Sequence, residues 1–350
     1  MSQIIKAGLV GVTGYTGMEL ARLMVHHSSM ELVKATSRSE AGKTLAQIYP
    51  FLNRLPLGDL VITQPDPADL AECDVVFLAV PHKTAMEIGS ELLEAGVKVV
   101  DLSADFRIND KATYEAWYKV EHTRAHLLGE AVYGLPELYL DKIMGARLIA
   151  NPGCYPTSAI LGLAPALKAG LVETGDIVID AKSGASGAGR GAKVGNLFCE
   201  VADSFRAYGL PTHRHTPEIE QEISKLAGTD ITVSFNTHLL PIDRGILSTI
   251  YTRLKSAATV EQVHEIYTEF YADKPLVRVL PLGQLPETRH VRGTVFCDIG
   301  LVVDPRTNRL IVLSAIDNLC RGASGQALMN ANLICGLDLD EGLPMAPMMP

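Results

Sequence analysis

The first forty residues restrict the fold more than any other part of the chain. Ile4 to Val10 is a short apolar run that reads as a buried strand. Gly11-Val-Thr-Gly14-Tyr-Thr-Gly17 follows, then Met18, Leu20, Ala21, Leu23 and Met24 in a helical pattern. Met30 to Thr36 reads as a second strand. Glycines at such a turn let the backbone approach a pyrophosphate, and the helix behind offers free N–H groups and its positive dipole end. The spacing is Gly-x-x-Gly-x-x-Gly, offset from the commoner Gly-x-Gly-x-x-Gly. An ordinary tight turn would also use glycine, but the position between strand and helix favours dinucleotide binding. Gly11, Thr13, Gly14, Tyr15, Thr16 and Gly17 are the residues this assigns. NAD-specific folds usually place Asp or Glu at the end of the second strand. Here the chain has Ser37-Arg38-Ser39, an arginine and hydroxyls that suit a 2′-phosphate, so NADPH/NADP is the expected cofactor.

Strand and helix continue to alternate. Val75 to Val80, Val97 to Leu102 and Arg147 to Ala150 read as strands, and Thr84 to Ala95 as a helix. This implies a Rossmann-type parallel sheet covered on both faces. Beyond it, a helix from about Pro156 to Ala169 is expected to kink or break at Pro165. Ile177–Lys182, Ile231–Leu240, Leu247–Leu254, Val295–Val303 and Arg309–Ile316 read as longer strands, an α+β domain with a mostly antiparallel sheet. Residues 323–335 look helical, and the Pro- and Met-rich tail from Gly342 reads as loosely held. At roughly 150 residues per domain, 350 residues suit two domains. The first domain is expected over 1–150, ending with the last strand of the parallel sheet.

Composition removes several function classes. Thirty-one basic against forty acidic residues gives −9, with no extended basic block, which disfavours nucleic acid. The apolar runs fall far short of the ~20 residues needed to cross a bilayer, and Met1-Ser-Gln-Ile-Ile-Lys6 is not a signal peptide. Six widely spaced cysteines without Cys-x-x-Cys suit a reducing cytoplasm and argue against a disulfide framework or a zinc site. His122 and His126 lack a third ligand and read as exposed, so no metal is expected.

The most informative stretch is Asn151-Pro-Gly-Cys-Tyr-Pro-Thr157. Pro152 holds Asn151 extended, Gly153 permits an unusual backbone angle, and Pro156 suits a first helical turn. Cys154 then sits at a helix N-terminus, where the dipole lowers a thiol pKa. Cys73, Cys297 and Cys335, inside apolar segments, read instead as buried structural cysteines. His213-Arg-His215-Thr-Pro-Glu218 precedes another helix, and a histidine there can accept the thiol proton. Ser183-Gly-Ala-Ser186-Gly187-Ala-Gly189 follows a strand and can bring backbone N–H groups to an anion or a nicotinamide. Arg107, after the Val97–Leu102 strand, can grip phosphate or carboxylate.

Together these segments resemble the N-acetyl-gamma-glutamyl-phosphate reductase family of the aspartate-semialdehyde dehydrogenase-like superfamily, over nearly the whole chain. Asn-Pro-Gly-Cys154-Tyr-Pro-Thr matches its active-site signature, with Ser158 where the family more often has Gly or Ala. Tyr133-Gly-Leu-Pro-Glu137, His213-Arg-His-Thr-Pro-Glu218 and Asn318-Leu-Cys-Arg-Gly-Ala-Ser-Gly-Gln326 also look like this family. Aspartate-semialdehyde enzymes usually carry Asn directly before the cysteine, and Gly153 favours the glutamyl-phosphate branch. The resemblance implies Cys154 as nucleophile, His215 as acid/base and Arg107 on the phosphate, and His213 in the same turn is assigned to the substrate. It also implies that 318–350 return to complete the 1–150 cofactor domain, which leaves 151–317 for catalysis and oligomerisation. It places Ser186 and Gly187 near the cofactor and Asn318 near the nicotinamide. It implies NADPH-dependent reduction of N-acetylglutamyl phosphate in arginine biosynthesis, with inorganic phosphate as the second small molecule, by a dimer or tetramer. Reduction of aspartyl phosphate, or of a carrier-bound aminoadipyl or glutamyl phosphate, is the rival chemistry. An NADP-sensing regulator is the non-catalytic rival, and it would have no use for Cys154 with His215.

Overall fold

The computed structural model describes residues 4–349. Met1–Gln3, part of the segment judged above against a signal peptide, lie outside the described residues. The chain divides into two compact units, 1–152 with 323–344, and 153–322 with 345–350.

The first unit is built on a parallel sheet of seven strands. They are β1 (Ile5–Val10), β2 (Met30–Thr36), β3 (Ile62–Thr63), β4 (Val75–Leu78), β5 (Lys98–Asp101), β6 (Val132–Tyr133) and β7 (Leu148–Ala150), in the order β3-β2-β1-β4-β5-β7-β6. β4 is buried along its whole length, as a central strand covered on both faces should be. Helix α1 (Tyr15–Met24) buries Leu20, Ala21, Leu23 and Met24, and α2 (Thr84–Glu94) buries Ala85, Met86, Ile88, Leu92 and Leu93. The chain returns at Ala323, and the helix Gly325–Ile334 is buried throughout. Its Gln326 and Asn330 side chains both donate to the Gly134 carbonyl, and Asn330 also donates to Asn151 Oδ1. A Cβ on Gly134 would stand 2.3 Å from Asn330 Nδ2, so the Tyr-Gly-Leu-Pro turn needs glycine there.

The second unit has a mixed sheet. Its strands are β8 (Val178–Gly184), β9 (Arg206–Tyr208), β10 (Ser234–Leu240), β11 (Ile246–Arg253), β12 (Val277–Val279), β13 (Cys297–Asp304) and β14 (Arg309–Ile316), ordered β12-β13-β14-β11-β8-β10-β9. β12/β13 and β10/β8 are parallel and the remaining pairs antiparallel. Helix α3 (Cys154–Lys168) packs on β11 and β14. Ser158 Oγ lies 2.9 Å from Ser248 Oγ and 3.1 Å from Ser314 Oγ on those strands, a buried hydroxyl cluster that Gly or Ala could not form. Helices α4 (Thr216–Ala227) and α5 (Val260–Phe270) pack against α3.

Four sequence expectations change. First, α3 begins at Cys154, two residues early, and runs through Pro165 without a break. Proline cannot bond the Leu161 carbonyl, but the Tyr271 hydroxyl donates to it at 2.5 Å and Tyr267 donates to the neighbouring Gly162 carbonyl. Second, Gly153 has φ −69° and ψ 156°, ordinary extended backbone. Third, His122 is buried, its Nε2 2.6 Å from the Asp105 carbonyl and its ring edge-on to Tyr114 and Phe106. Fourth, the tail is anchored: Leu343 is buried, Gly342 lies against the His27 ring, and Met348 N donates to the Arg292 carbonyl. No helix among the described residues is long and apolar enough to cross a membrane.

Candidate active site

In the first unit the glycine turn forms an open backbone cradle. Gly11 has φ +90°, and a Cβ there would meet the Ala79 carbonyl at 2.3 Å. A Cβ on Gly17 would meet the Gly11 carbonyl at the same distance, so close strand–helix packing excludes a side chain. Gly14 caps α1 without a side-chain bond, and the first turn carries no acid. The helix N-terminus is therefore unblocked and fits an anionic pyrophosphate. Thr13, Tyr15 and Thr16 belong to this turn. Thr13 Oγ1 lies 3.2 Å from Ser37 Oγ, and Thr16 contributes its carbonyl to Ser324 Oγ. Ser37 is buried at the end of β2, while Arg38 is exposed and unaccompanied by an Asp or Glu at that strand end. The turn and the end of β2 fit a dinucleotide.

Arg107 is buried in the same unit. Its Nε donates to the Asn151 carbonyl at 2.6 Å and Nη2 to the Leu102 carbonyl at 2.7 Å. The guanidinium thus pins the end of β7, three residues ahead of Cys154 in the chain. Nearby, burial and then the Asp105 charge push the Asp101 carboxyl upward, and Ser103 N–H and hydroxyl donate to it.

In the second unit Cys154 is the first residue of α3 and is partly exposed. It lines a cavity of about 340 Å³ together with Tyr155, Ser183, Gly187, Tyr208, His213 and His215. The structure thereby gathers Cys154, His213, His215 and Gly187 in one cavity. Glu218, fully buried in the first turn of α4, accepts the Gly153 N–H at 2.8 Å. That bond ties the start of α3 to the turn carrying both histidines. A Cβ on Gly322 would stand 2.7 Å from Cys154 Cβ, so the chain passes the thiol only because residue 322 has no side chain. Sequence reading gave neither Glu218 nor Gly322 a task of its own.

The two histidines differ. His213 packs edge-on against Tyr155, Tyr208 and Phe235, and its Nδ1 accepts the His215 backbone N–H at 3.2 Å. Burial, with Arg214 adding, pushes His213 down to about 4, so the ring is neutral near pH 7. A neutral ring engaged this way orients His215 and offers a substrate no charge. His215 caps α4. The Tyr155 and Tyr208 hydroxyls lie 2.7 Å apart. Burial raises both, Tyr208 to about 12, so both keep their protons. Asn318 Nδ2 donates to Ser186 Oγ at 3.0 Å, and Asn318 Oδ1 accepts the Gly245 N–H, joining the residues assigned to the nicotinamide end.

Residues 6–146 match the semialdehyde dehydrogenase NAD binding domain, and residues 154–318 the semialdehyde dehydrogenase dimerisation domain. N-acetyl-gamma-glutamyl-phosphate reductase of Desulfotalea psychrophila is 53% identical over 99% of this chain and 100% of its own length. That of Geobacter sulfurreducens is likewise 53% identical over the same shares. This chain belongs to the N-acetyl-gamma-glutamyl-phosphate reductase family. Two solved structures have the same fold. Aspartate semialdehyde dehydrogenase II from Vibrio cholerae has a TM-score of 0.73 at 17% identity, over 95% of this chain and 99% of that one. The Candida albicans aspartate semialdehyde dehydrogenase with NADP has a TM-score of 0.71 at 19% identity, over the same shares. The N-acetyl-gamma-glutamyl-phosphate reductase family membership and the NAD binding domain match give the chain a nicotinamide dinucleotide cofactor.

Proposed function

We propose that the chain reduces N-acetyl-γ-glutamyl phosphate to N-acetylglutamate semialdehyde with release of inorganic phosphate, using NADPH, in arginine biosynthesis. The observation that carries this is the shared cavity of Cys154 and His215, with Cys154 on the first turn of α3, in a chain of this family. The free N–H groups and dipole of α3 favour negative charge on Sγ. Cys154 Sγ attacks the γ-carbonyl, the C–O bond to phosphate breaks, and a thioester forms. His215 takes the thiol proton and later returns a proton to the departing group. The bound cofactor supplies the hydride that reduces the thioester carbon. The resulting hemithioacetal collapses with Cys154 as leaving group, which requires sulfur rather than a serine oxygen. Cofactor binding is assigned to the first unit, and thioester chemistry with homo-oligomer assembly to the second. The free cysteines suit a reducing cytoplasm. Phosphate-dependent reduction of NADP by the semialdehyde tests the reaction; a chain that only sensed NADP would show none.

Arg38 is assigned to the 2′-phosphate of NADPH, with Ser37 beside it. A charge-assisted bond contributes roughly 1.5–3 kcal/mol, or about ten- to a hundredfold. Arg38→Ala is expected to raise the KM for NADPH by that factor and leave the KM for NADH nearly unchanged. Equal losses with both cofactors would make Arg38 a support of the β2 turn.

Arg107 is assigned to the transferred phosphate. Its planar fork already clamps two carbonyls, so an ammonium cannot replace it. Arg107→Lys is expected to raise the phosphate KM of the reverse reaction by at least about tenfold. An unchanged phosphate KM with a lowered Tm would reduce Arg107 to a clamp on β7.

A further inference from the structure

The turn at Lys193–Asn196, whose two end residues line the Cys154 cavity, has no part in the chemistry above. We propose that it selects the acyl group: Asn196 donates to the acetamido carbonyl of the substrate, and Lys193 pairs with its free α-carboxylate. This rests on the acyl-phosphate reading and names what distinguishes its substrate.

Three observations carry it. Asn196 lines the cavity, and its Nδ2 is buried without a hydrogen-bond partner. A buried amide donor without an acceptor is costly, and an acceptor on a ligand removes that cost. Next, the charged side chains lining the cavity are Lys193, Arg206 and Arg214, with no Asp or Glu among the lining residues. An ammonium beside the reacting carbonyl, as in aspartyl phosphate, would be repelled there. A neutral acetamide with a carboxylate would not be. Finally, Arg206 and Lys193 have different tasks. Arg206 donates to the Glu200 carbonyl at 2.9 Å and to the Gly195 carbonyl, and so shapes the turn. Asn196 N donates to the Lys193 carbonyl at 2.9 Å and closes it. Lys193 Nζ makes no hydrogen bond or ion pair among the described residues, and it reaches the cavity on a flexible stem. The Leu239 side chain and the Tyr155 and Tyr208 rings supply apolar wall for an acetyl methyl. A cavity of about 340 Å³ suits a ligand of this size.

The reverse reaction gives the test. Aldehyde, NADP and phosphate yield acyl phosphate, NADPH and a proton, and N-acetyl-L-glutamate semialdehyde and L-aspartate semialdehyde are the two probes. Asn196→Ala is expected to raise the KM for the acetylated aldehyde about three- to tenfold, the range of a neutral hydrogen bond. Lys193→Gln should raise it about ten- to a hundredfold, as for a bond to a charged group, and Lys193→Arg should recover most of that. In all three variants the KM for NADP, the KM for phosphate and the rate of Cys154 alkylation should stay at the wild-type level. A rise in the phosphate KM instead would put Lys193 on the phosphate and overturn the assignment. So would an unchanged aldehyde KM in both Asn196→Ala and Lys193→Gln. A wild-type enzyme that oxidises aspartate semialdehyde but not the acetylated aldehyde would overturn the function proposed above. Losses in the variants are read only against an active wild type, so the two failures are separate results.

Discussion

Replacing Cys154 by serine is expected to abolish turnover, by at least about four orders of magnitude, while the protein still folds and binds NADPH. The change exchanges one atom at the first position of α3. The Gly153 N–H bond to Glu218 and the Gly322 contact do not depend on sulfur chemistry. The glycine cradle and Arg38 belong to the other unit. What is lost is a sulfur nucleophile that also leaves readily from a hemithioacetal. The remaining cysteines cannot substitute. Burial pushes Cys73 and Cys335 up to about 11, which keeps them as thiols at neutral pH. Cys297 and Cys320 are buried. Cys199 is exposed, so it is the one competitor for alkylating reagents, and Cys199→Ser should keep full activity. Mass spectrometry of enzyme mixed with acyl phosphate and no cofactor should find an acyl adduct on the Cys154 peptide alone. Full activity in Cys154→Ser, or an adduct on another cysteine, would end the thioester mechanism.

Much of this arrangement is legible in sequence, because it depends on local signals. A strand, a glycine turn and an apolar helical stripe define β1 and α1, and the observed β2 and β14 span the residues that hydrophobic pattern alone assigns. The errors fall where distant residues decide. Pro165 reads as a helix breaker, yet tyrosines more than a hundred positions later satisfy the carbonyl it leaves unpaired and the one beside it. His122 reads as exposed because a histidine between polar residues shows no periodicity. Its burial comes from the Asp105 turn and the Tyr114 ring. Gly153 invites a backbone-angle argument, but its N–H is what matters, and the acceptor, Glu218, is 65 residues away. The acyl pocket is hidden for the same reason. Lys193 and Asn196 lie in a glycine-rich loop where side chains carry no pattern, and only the folded cavity sets them beside Cys154.

His215→Asn is expected to slow acylation by roughly 10²- to 10⁴-fold, the range for losing a positioned proton acceptor, with little change in cofactor binding. His213→Asn should be much milder, because His213 is an orienting neighbour rather than the proton carrier. The physical distinction is protonation. Burial and Arg214 hold His213 near 4, so it does not change charge between pH 5 and 8 and cannot produce a pH limb in that interval. Any acid-side fall in the acylation rate there should therefore persist in His213→Asn. Stability should behave in the opposite way. Unfolded histidine titrates near 6.5, so between about 6.5 and 4 the unfolded chain binds a proton that folded His213 does not. Wild-type stability should therefore fall as pH drops through that window. The loss should be smaller in His213→Asn. Stopped-flow acylation from pH 5 to 8, with urea unfolding at pH 7 and pH 4.5, measures both. If the acid limb of the rate disappears in His213→Asn, the proton passes through the buried ring and the roles given to the two histidines are wrong.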